Sequence, residues 1–538
     1  MVSGRIVLLL GGLIAVGACT TTNVTPESSS TMTAALASTT SSTAATVPTT
    51  ALASTTTVET SEPVLWADVT ESAIGATAEW SNKVDLADVD GDGDVDLLFA
   101  DGGGYDTPRS PVVNQIWIND GTAKFENRSV EVLGDVGDLA RVIKARDLNG
   151  DGIVDIIVGT TFQTQSRLYL GVGELGFVEV TDTHLPNMLA SVGDIEVGDV
   201  DGDGDLDLAL ADWGPGSPME NDGAPPLLWL NDGTGVFEDV SQTNMPQIPV
   251  RFSWDLEFID IDNDYDLDLA VSCKRCSGSF LFANDGTGKF SDVSDRMPQY
   301  SNNYDFEPID LNGDGFLDLV TVNDRGTANV TIAENVFLAD GEGGFLDATA
   351  ELWPDEANLS GIDDNVVVVL DYDSDGDPDF VIGSLSGPDR LLVNDGTGSL
   401  TLIDTNVFGG RNTNGTLGLA FGDLNGDHRL DAVQAQGEVA MDERVFVGHL
   451  IQPDTAPPVI TGVVVIDGVI HARIHDNKSP TVPHDWTNVI IVGESTIDMD
   501  WYGENLWRAT PTAPGDYQVC AVDAAGNEAC SNTFTIAP

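Results

Sequence analysis

Residues Asp88–Asp96 read DVDGDGDVD, which sets five carboxylates on alternate positions of a nine-residue stretch. Like charges this close repel one another and resist dehydration, so a chain that keeps such a stretch has a use for it. Variants begin at Asp147 (DLNGDGIVD), Asp199 (DVDGDGDLD), Asp260 (DIDNDYDLD), Asp310 (DLNGDGFLD), Asp371 (DYDSDGDPD) and Asp423 (DLNGDHRLD). Every copy has Asp or Asn at positions 1, 3, 5 and 9, which makes the stretch one part of a sevenfold repeat.

Oxygen-bearing side chains at positions 1, 3 and 5 with Gly at 6 begin a calcium loop. A short segment curls round one ion, offers oxygens at about 2.3–2.6 Å, and turns sharply where glycine permits. An EF-hand would close with Glu at position 12, whereas that position here holds Phe99, Val158, Leu210, Val271, Thr321, Ile382 and Gln434. These loops close with Asp at 9 and run into apolar stretches such as DLLFA, DIIVG and DLALA, which read as strands.

A second signal follows, as in IWINDGTAKFEN, LLWLNDGTGVFEDVS and LFANDGTGKFSDVS. Asn-Asp-Gly supplies the positive backbone angles of a tight hairpin. Each unit therefore reads as strand, acidic loop, strand, long connection, strand, turn, strand. The expected fold class is all-β: a seven-bladed β-propeller over 64–452, with four antiparallel strands per blade. The seventh unit ends at ERVFVGHLI without a fourth strand, and VLWADVT (Val64–Thr70) is expected to supply it and close the ring.

Seven D-x-[DN]-x-D-G-x-x-D loops resemble those of integrin α subunits and of the bacterial FG-GAP/VCBS-repeat proteins. The resemblance implies that calcium is bound by side chains at positions 1, 3, 5 and 9 and by the backbone carbonyl at 7. Carried onto this sequence, the first loop would use Asp88, Asp90, Asp92 and Asp96 with the carbonyl of Asp94. The second would use Asp147, Asn149, Asp151, Asp155 and the Ile153 carbonyl; the third Asp199, Asp201, Asp203, Asp207 and the Asp205 carbonyl. Loop four offers Asp260, Asp262, Asp264, Asp268 and the Asp266 carbonyl, and loop five Asp310, Asn312, Asp314, Asp318 and the Phe316 carbonyl. Loop six offers Asp371, Asp373, Asp375, Asp379 and the Asp377 carbonyl, and loop seven Asp423, Asn425, Asp427, Asp431 and the Arg429 carbonyl. Tyr265 and His428 stand where glycine is expected, so the sites at 260–268 and 423–431 depart from the pattern.

The 538 residues carry 22 Lys+Arg against 88 Asp+Glu, a net charge of −66. That balance excludes nucleic acid, which needs a basic footprint. It suits hard cations and a solvated acidic surface.

Residues 1–19, MVSGRIVLLLGGLIAVGAC, read as a signal peptide: one Arg, an apolar run too short to span a membrane, then small residues. VGAC resembles the lipobox of bacterial lipoproteins, which makes Cys19 the lipidation candidate and the lipid the only membrane contact. Ordinary cleavage after Ala18, giving a secreted protein, is the alternative. Residues 20–62 are rich in Thr, Ser and Ala and poor in large apolar side chains, the composition of a disordered stalk. The other four cysteines form two local pairs, expected as disulfides in an exported protein: Cys273 with Cys276, and Cys520 with Cys530 across a hairpin.

Residues 455–538 read as an Ig-like β-sandwich of short strands with Gly, Asn and Pro punctuation. His471, His475 and His484 are read as a polar face rather than a zinc site.

Two functions are open. One is a surface-bound binding or adhesion protein with structural calcium and an extracellular protein or polysaccharide as ligand. The other is a secreted enzyme acting on polysaccharide, with the propeller as its scaffold. G-x-S-x-G, H-E-x-x-H and P-loop motifs are missing from the sequence, and no catalytic residue is singled out. The long connections between second and third strands of units one, three and five would form a ligand surface opposite the acidic loops. Tyr105, Trp213 and Arg325 are their candidate contact residues.

Overall fold

The apolar run after each acidic loop forms a strand, and in unit one all six of its residues, Asp96–Asp101, are buried. In the computed structural model such strands belong to seven four-stranded antiparallel sheets, numbered here by their acidic loops. The structure describes residues 64–538 apart from 103, 105, 106, 174, 301, 302, 325, 328, 329, 405, 406, 409–414, 439, 477–487, 494, 495 and 538. The expected signal peptide, Cys19 and the stalk lie outside the described residues, as do Tyr105, Arg325 and His484.

Sheet 1 comprises Ser81–Ala87, Asp96–Asp101, Gln115–Asn119 and Phe125–Asn127, and the next five repeat this order. The first strand of each sheet neighbours the first strand of the next, and that of sheet 7, Thr416–Gly422, neighbours Ser81–Ala87. This is a propeller-like, all-β arrangement. Sheet 7 takes its outer strand from the start of the described chain: Trp66–Asp68 pairs antiparallel with Arg444–Gly448, Ala67 opposite Val447.

The Ser or Thr that follows an outer strand, set in DVS at 239–241, DVT at 68–70 and NRS at 127–129, has a structural job. The Ser or Thr hydroxyl accepts a third-strand amide: Ser129 Oγ from Ile116, Ser241 Oγ from Leu228, and Thr70 Oγ1 from Val445. Thr70 makes the same bond although its strand comes from the other end of the repeat region. The core is divided between neighbouring sheets. Leu98 and Ile116 of sheet 1 pack with Ile143, Ile156 and Tyr169 of sheet 2, and Leu97 and Trp117 with Val433 and Val445 of sheet 7. Among the described residues no helix is long and apolar enough to cross a membrane.

The C-terminal residues form a separate pair of sheets. One orders Val459–Ile466, Val469–His475, Leu506–Ala509 and Asp500–Gly503; the other is built on Asn488–Val492 and Gly515–Val522. Ile470, Ile474 and Trp507 of the first pack against Ile491, Tyr517 and Val519 of the second. Cys520 lies opposite Cys530 and is bonded to it, and Cys273 is bonded to Cys276. Both disulfides match the expected pairs and suit a chain that matures in an oxidising compartment.

Candidate metal loops and the central cavity

In loop one, Asp88 organises the backbone before any ion is considered. Its Oδ1 accepts the amides of Gly91 at 2.8 Å and Asp92 at 3.0 Å, and its Oδ2 that of Gly93 at 2.9 Å. Positions 4 and 6 adopt left-handed backbone angles, φ 77° at Gly91 and 95° at Gly93, which glycine adopts without strain. Tyr265 and His428 keep that conformation at position 6, with φ of 70° and 60°, so the departures from glycine do not change the path of the loop.

Position 9 has a role that spacing alone did not show. Asp96 is fully buried, and both its oxygens accept amides: Oδ2 from Val89 of its own loop, Oδ1 from Asn119 at the end of the third strand. The same double bond recurs at Asp155, Asp207, Asp268, Asp318, Asp379 and Asp431. Burial pushes Asp96 up to about 8 and Asp155 up to about 7, opposed by those two amides. A buried carboxylate under that pressure is eased by a cation beside it.

The Asn of the Asn-Asp-Gly turn is a second such role. Asn119 Nδ2 donates to the Leu424 carbonyl in loop seven, Asn231 to Leu148 in loop two, and Asn284 to Val200 in loop three. Each turn is thus tied to the acidic loop of the preceding sheet. The glycine of the turn makes room for position 7: a Cβ on Gly121 would meet Asp94 Oδ2 at 2.5 Å, and one on Gly233 would meet Asp205 Oδ2 at 2.6 Å.

The donor set fits a hard divalent cation. Carboxylate oxygens of Asp88, Asp90 and Asp96 lie within 4.8 Å of one another, as do those of Asp199, Asp201 and Asp203. That spacing is what two oxygens on one calcium require, since each lies about 2.3–2.6 Å from the ion.

Residues 88–158, 147–210 and 371–433 match the family model described as FG-GAP-like repeat. The chain carries FG-GAP-like repeats.

No curated protein matches it. Among solved structures, an Agrocybe aegerita lectin described as recognising non-reducing terminal N-acetylglucosamine is 18% identical, covering 61% of this chain and 82% of its own, at a TM-score of 0.41. The V. cholerae biofilm matrix protein Bap1 is 15% identical over 88% of this chain and 76% of its own, at a TM-score of 0.31. Likeness of this size decides neither fold nor ligand.

The first strands of the FG-GAP-like units line a cavity of about 280 Å³. Lys83 bridges Asp194 at 2.6 Å and Asp255 at 2.8 Å, and Lys144 meets Glu196 at 2.6 Å. Glu257 and Glu307 also line it, as do Trp501 and Glu504 from the C-terminal module. Burial raises Glu257, with the neighbouring Glu196 and Asp255 adding to it, and pushes Glu504 up to about 8.

Of the residues expected to meet a ligand, only Trp213 is among the described residues. Trp213 is 1% exposed. Its indole donates to the Ser253 carbonyl, stacks on Trp254 at 5.7 Å between centroids, and meets Phe252 edge-on. Placing it at a ligand surface is therefore corrected: an aromatic in a long polar connection here anchors that connection to the core. Of the C-terminal histidines, His471 Nδ1 lies 3.1 Å from the Tyr502 hydroxyl, and burial with the nearby Arg508 lowers it to about 4.

Proposed function

We propose that residues 64–452 form a seven-bladed propeller with structural calcium in its FG-GAP-like loops, followed by an Ig-like module over 455–538. In this reading the mature protein is exported, tethered through a lipid on Cys19 with 20–62 as its stalk, and binds an extracellular protein or polysaccharide. Calcium would be held by the carboxylates at positions 1, 3 and 5, with position 9 doubling as ligand and as the bond between loop and third strand.

The observation that carries the reading is the convergence of Asp88, Asp90 and Asp96 within 4.8 Å inside a loop whose hydrogen bonds recur along the chain. Binding at the face away from the acidic loops is supported by the C-terminal module, whose Arg508 and Tyr502 contact loops three and four and cover part of the other face. The test is to pass polysaccharides and candidate proteins over the immobilised protein, measuring both retention and product release. Retention without turnover, abolished when the connections at 101–114, 212–226 and 323–335 are shortened together, is expected. Product release would assign the chain to the enzymes.

A further inference from the structure

The fourth loop differs from its six counterparts in what satisfies its first carboxylate. Elsewhere the position-1 Oδ2 accepts the amide of position 6: Gly93 at 2.9 Å, Gly152 at 2.7 Å, Gly204 at 2.9 Å, Gly315 at 2.8 Å, Gly376 at 3.1 Å and His428 at 2.7 Å. In loop four, Asp260 Oδ2 accepts instead from Arg473 Nη2 of the C-terminal module, at 2.8 Å. The other arm of the guanidinium, Nη1, donates to Asn263 Oδ1 at 2.9 Å and to the Gly315 carbonyl of loop five at 3.2 Å.

The side chains of Arg473 and Asp260 are only 2% and 1% exposed. A guanidinium this deeply buried needs a carboxylate, and here the carboxylate is the one that begins a cation loop. Tyr265, in the glycine position, turns the same loop into a packing surface. Its hydroxyl donates to the Gly462 carbonyl, its own carbonyl accepts the Tyr502 hydroxyl at 3.1 Å, and its ring lies 5.8 Å from that of His471. Loop three also meets the module, through Arg508 on Asp199, yet it keeps the amide of Gly204 on the same oxygen and so keeps the closure of the other loops.

We infer that the fourth loop takes no cation and is the socket that docks the C-terminal module, with the Arg473 guanidinium supplying the positive charge that an ion supplies elsewhere. A calcium ion in loop four would compete with Arg473 for Asp260 and repel it in a site with little water to screen the two. Docking then no longer depends on calcium at this loop, and the module seals its end of the central cavity whether or not the other loops are filled.

This rests on the calcium reading of those other loops, and the test separates the two. Calcium bound per folded chain is measured by equilibrium dialysis on the wild-type protein, on Asp90→Asn/Asp92→Asn, and on Asp262→Asn/Asp264→Asn, whose substituted residues leave the Arg473 pair in place. The loop-one variant is expected to bind one ion fewer than wild type and the loop-four variant the same number. Loss of an ion from the loop-four variant overturns the inference and leaves the calcium reading standing; a wild-type protein that binds no calcium overturns that reading and the inference with it. Docking is read separately by amide exchange at Asp199, whose N–H donates to the Tyr502 carbonyl at 2.8 Å. Arg473→Ala should speed that exchange at least tenfold, and unchanged exchange would overturn the socket.

Discussion

In the loop at Asp88–Asp96 the first carboxylate is held by backbone amides and faces other carboxylates, whereas in the loop at Asp260–Asp268 its equivalent is held by an arginine from another part of the chain. The two loops follow the same path, since positions 4 and 6 are left-handed in both. Both are also pinned by a position-9 aspartate that accepts one amide from its loop and one from the third strand. The path of the loop is therefore a property of its hydrogen bonds. What differs is the partner of the first carboxylate, backbone amides in one loop and Arg473 of the C-terminal module in the other.

The largest way to break this comparison is Arg473→Ala, which strands a buried Asp260. Loss of one partner of a buried pair costs about 3–5 kcal/mol. The module's melting transition should fall accordingly, and by the same amount in calcium and in chelator. A loss seen only in chelator would mean that calcium holds Asp260 and that loop four works as loop one does.

A smaller and sharper test substitutes position 9 in both loops. Asp96→Asn and Asp268→Asn each set an amide NH2 against a backbone donor, a cost of about 1–3 kcal/mol. In chelator the two should cost the same. In calcium Asp96→Asn should cost more, because it also removes a ligand; equal costs in calcium would contradict the difference drawn between the loops.

The third test concerns pH and is read as a slope rather than as a single loss. Asp101, fully buried with Ser81 donating to it, is pushed up to about 8 by that burial, far above an ordinary aspartate near 3.8. The folded state therefore holds a proton that the unfolded chain releases, and stability falls as pH climbs from about 4 through about 8. The slope from one group is at most about 1.4 kcal/mol per pH unit. Asp101→Asn, which stays neutral, should flatten the decline measured in chelator, and an unchanged slope would remove Asp101 from the account.

Much of the architecture was legible because local chemistry enforces it. The apolar runs after each Asp at position 9, the Asn-Asp-Gly turns and the spare strand at Trp66–Asp68 fix four-stranded sheets and their partners. Cys520 and Cys530 were legible because a short hairpin sets them opposite each other. The rest depends on long-range partners that no local pattern announces. Arg473 meets Asp260 across 213 residues of chain, and Asn231 reaches Leu148 across 83. Trp213 was misplaced because a long polar connection suggests exposure, while its indole is drawn inward by Phe252 and Trp254. Position 9 was read only as a ligand, since both of its donors are backbone N–H groups, which every residue but proline carries; that one of them belongs to the Asn of the Asn-Asp-Gly turn shows only in the fold.

The most direct test of the account is a melting curve of the metal-free protein, with removal confirmed by metal analysis. If calcium is structural, chelation leaves carboxylates such as Asp88, Asp90 and Asp96 facing one another, and the melting temperature falls markedly. A site filled at a thousand times its dissociation constant contributes about 4 kcal/mol. Added calcium should restore the curve better than magnesium, which demands a more regular shell and gives up its water reluctantly. An unchanged melting temperature after complete metal removal would contradict the claim that these loops hold calcium for structure.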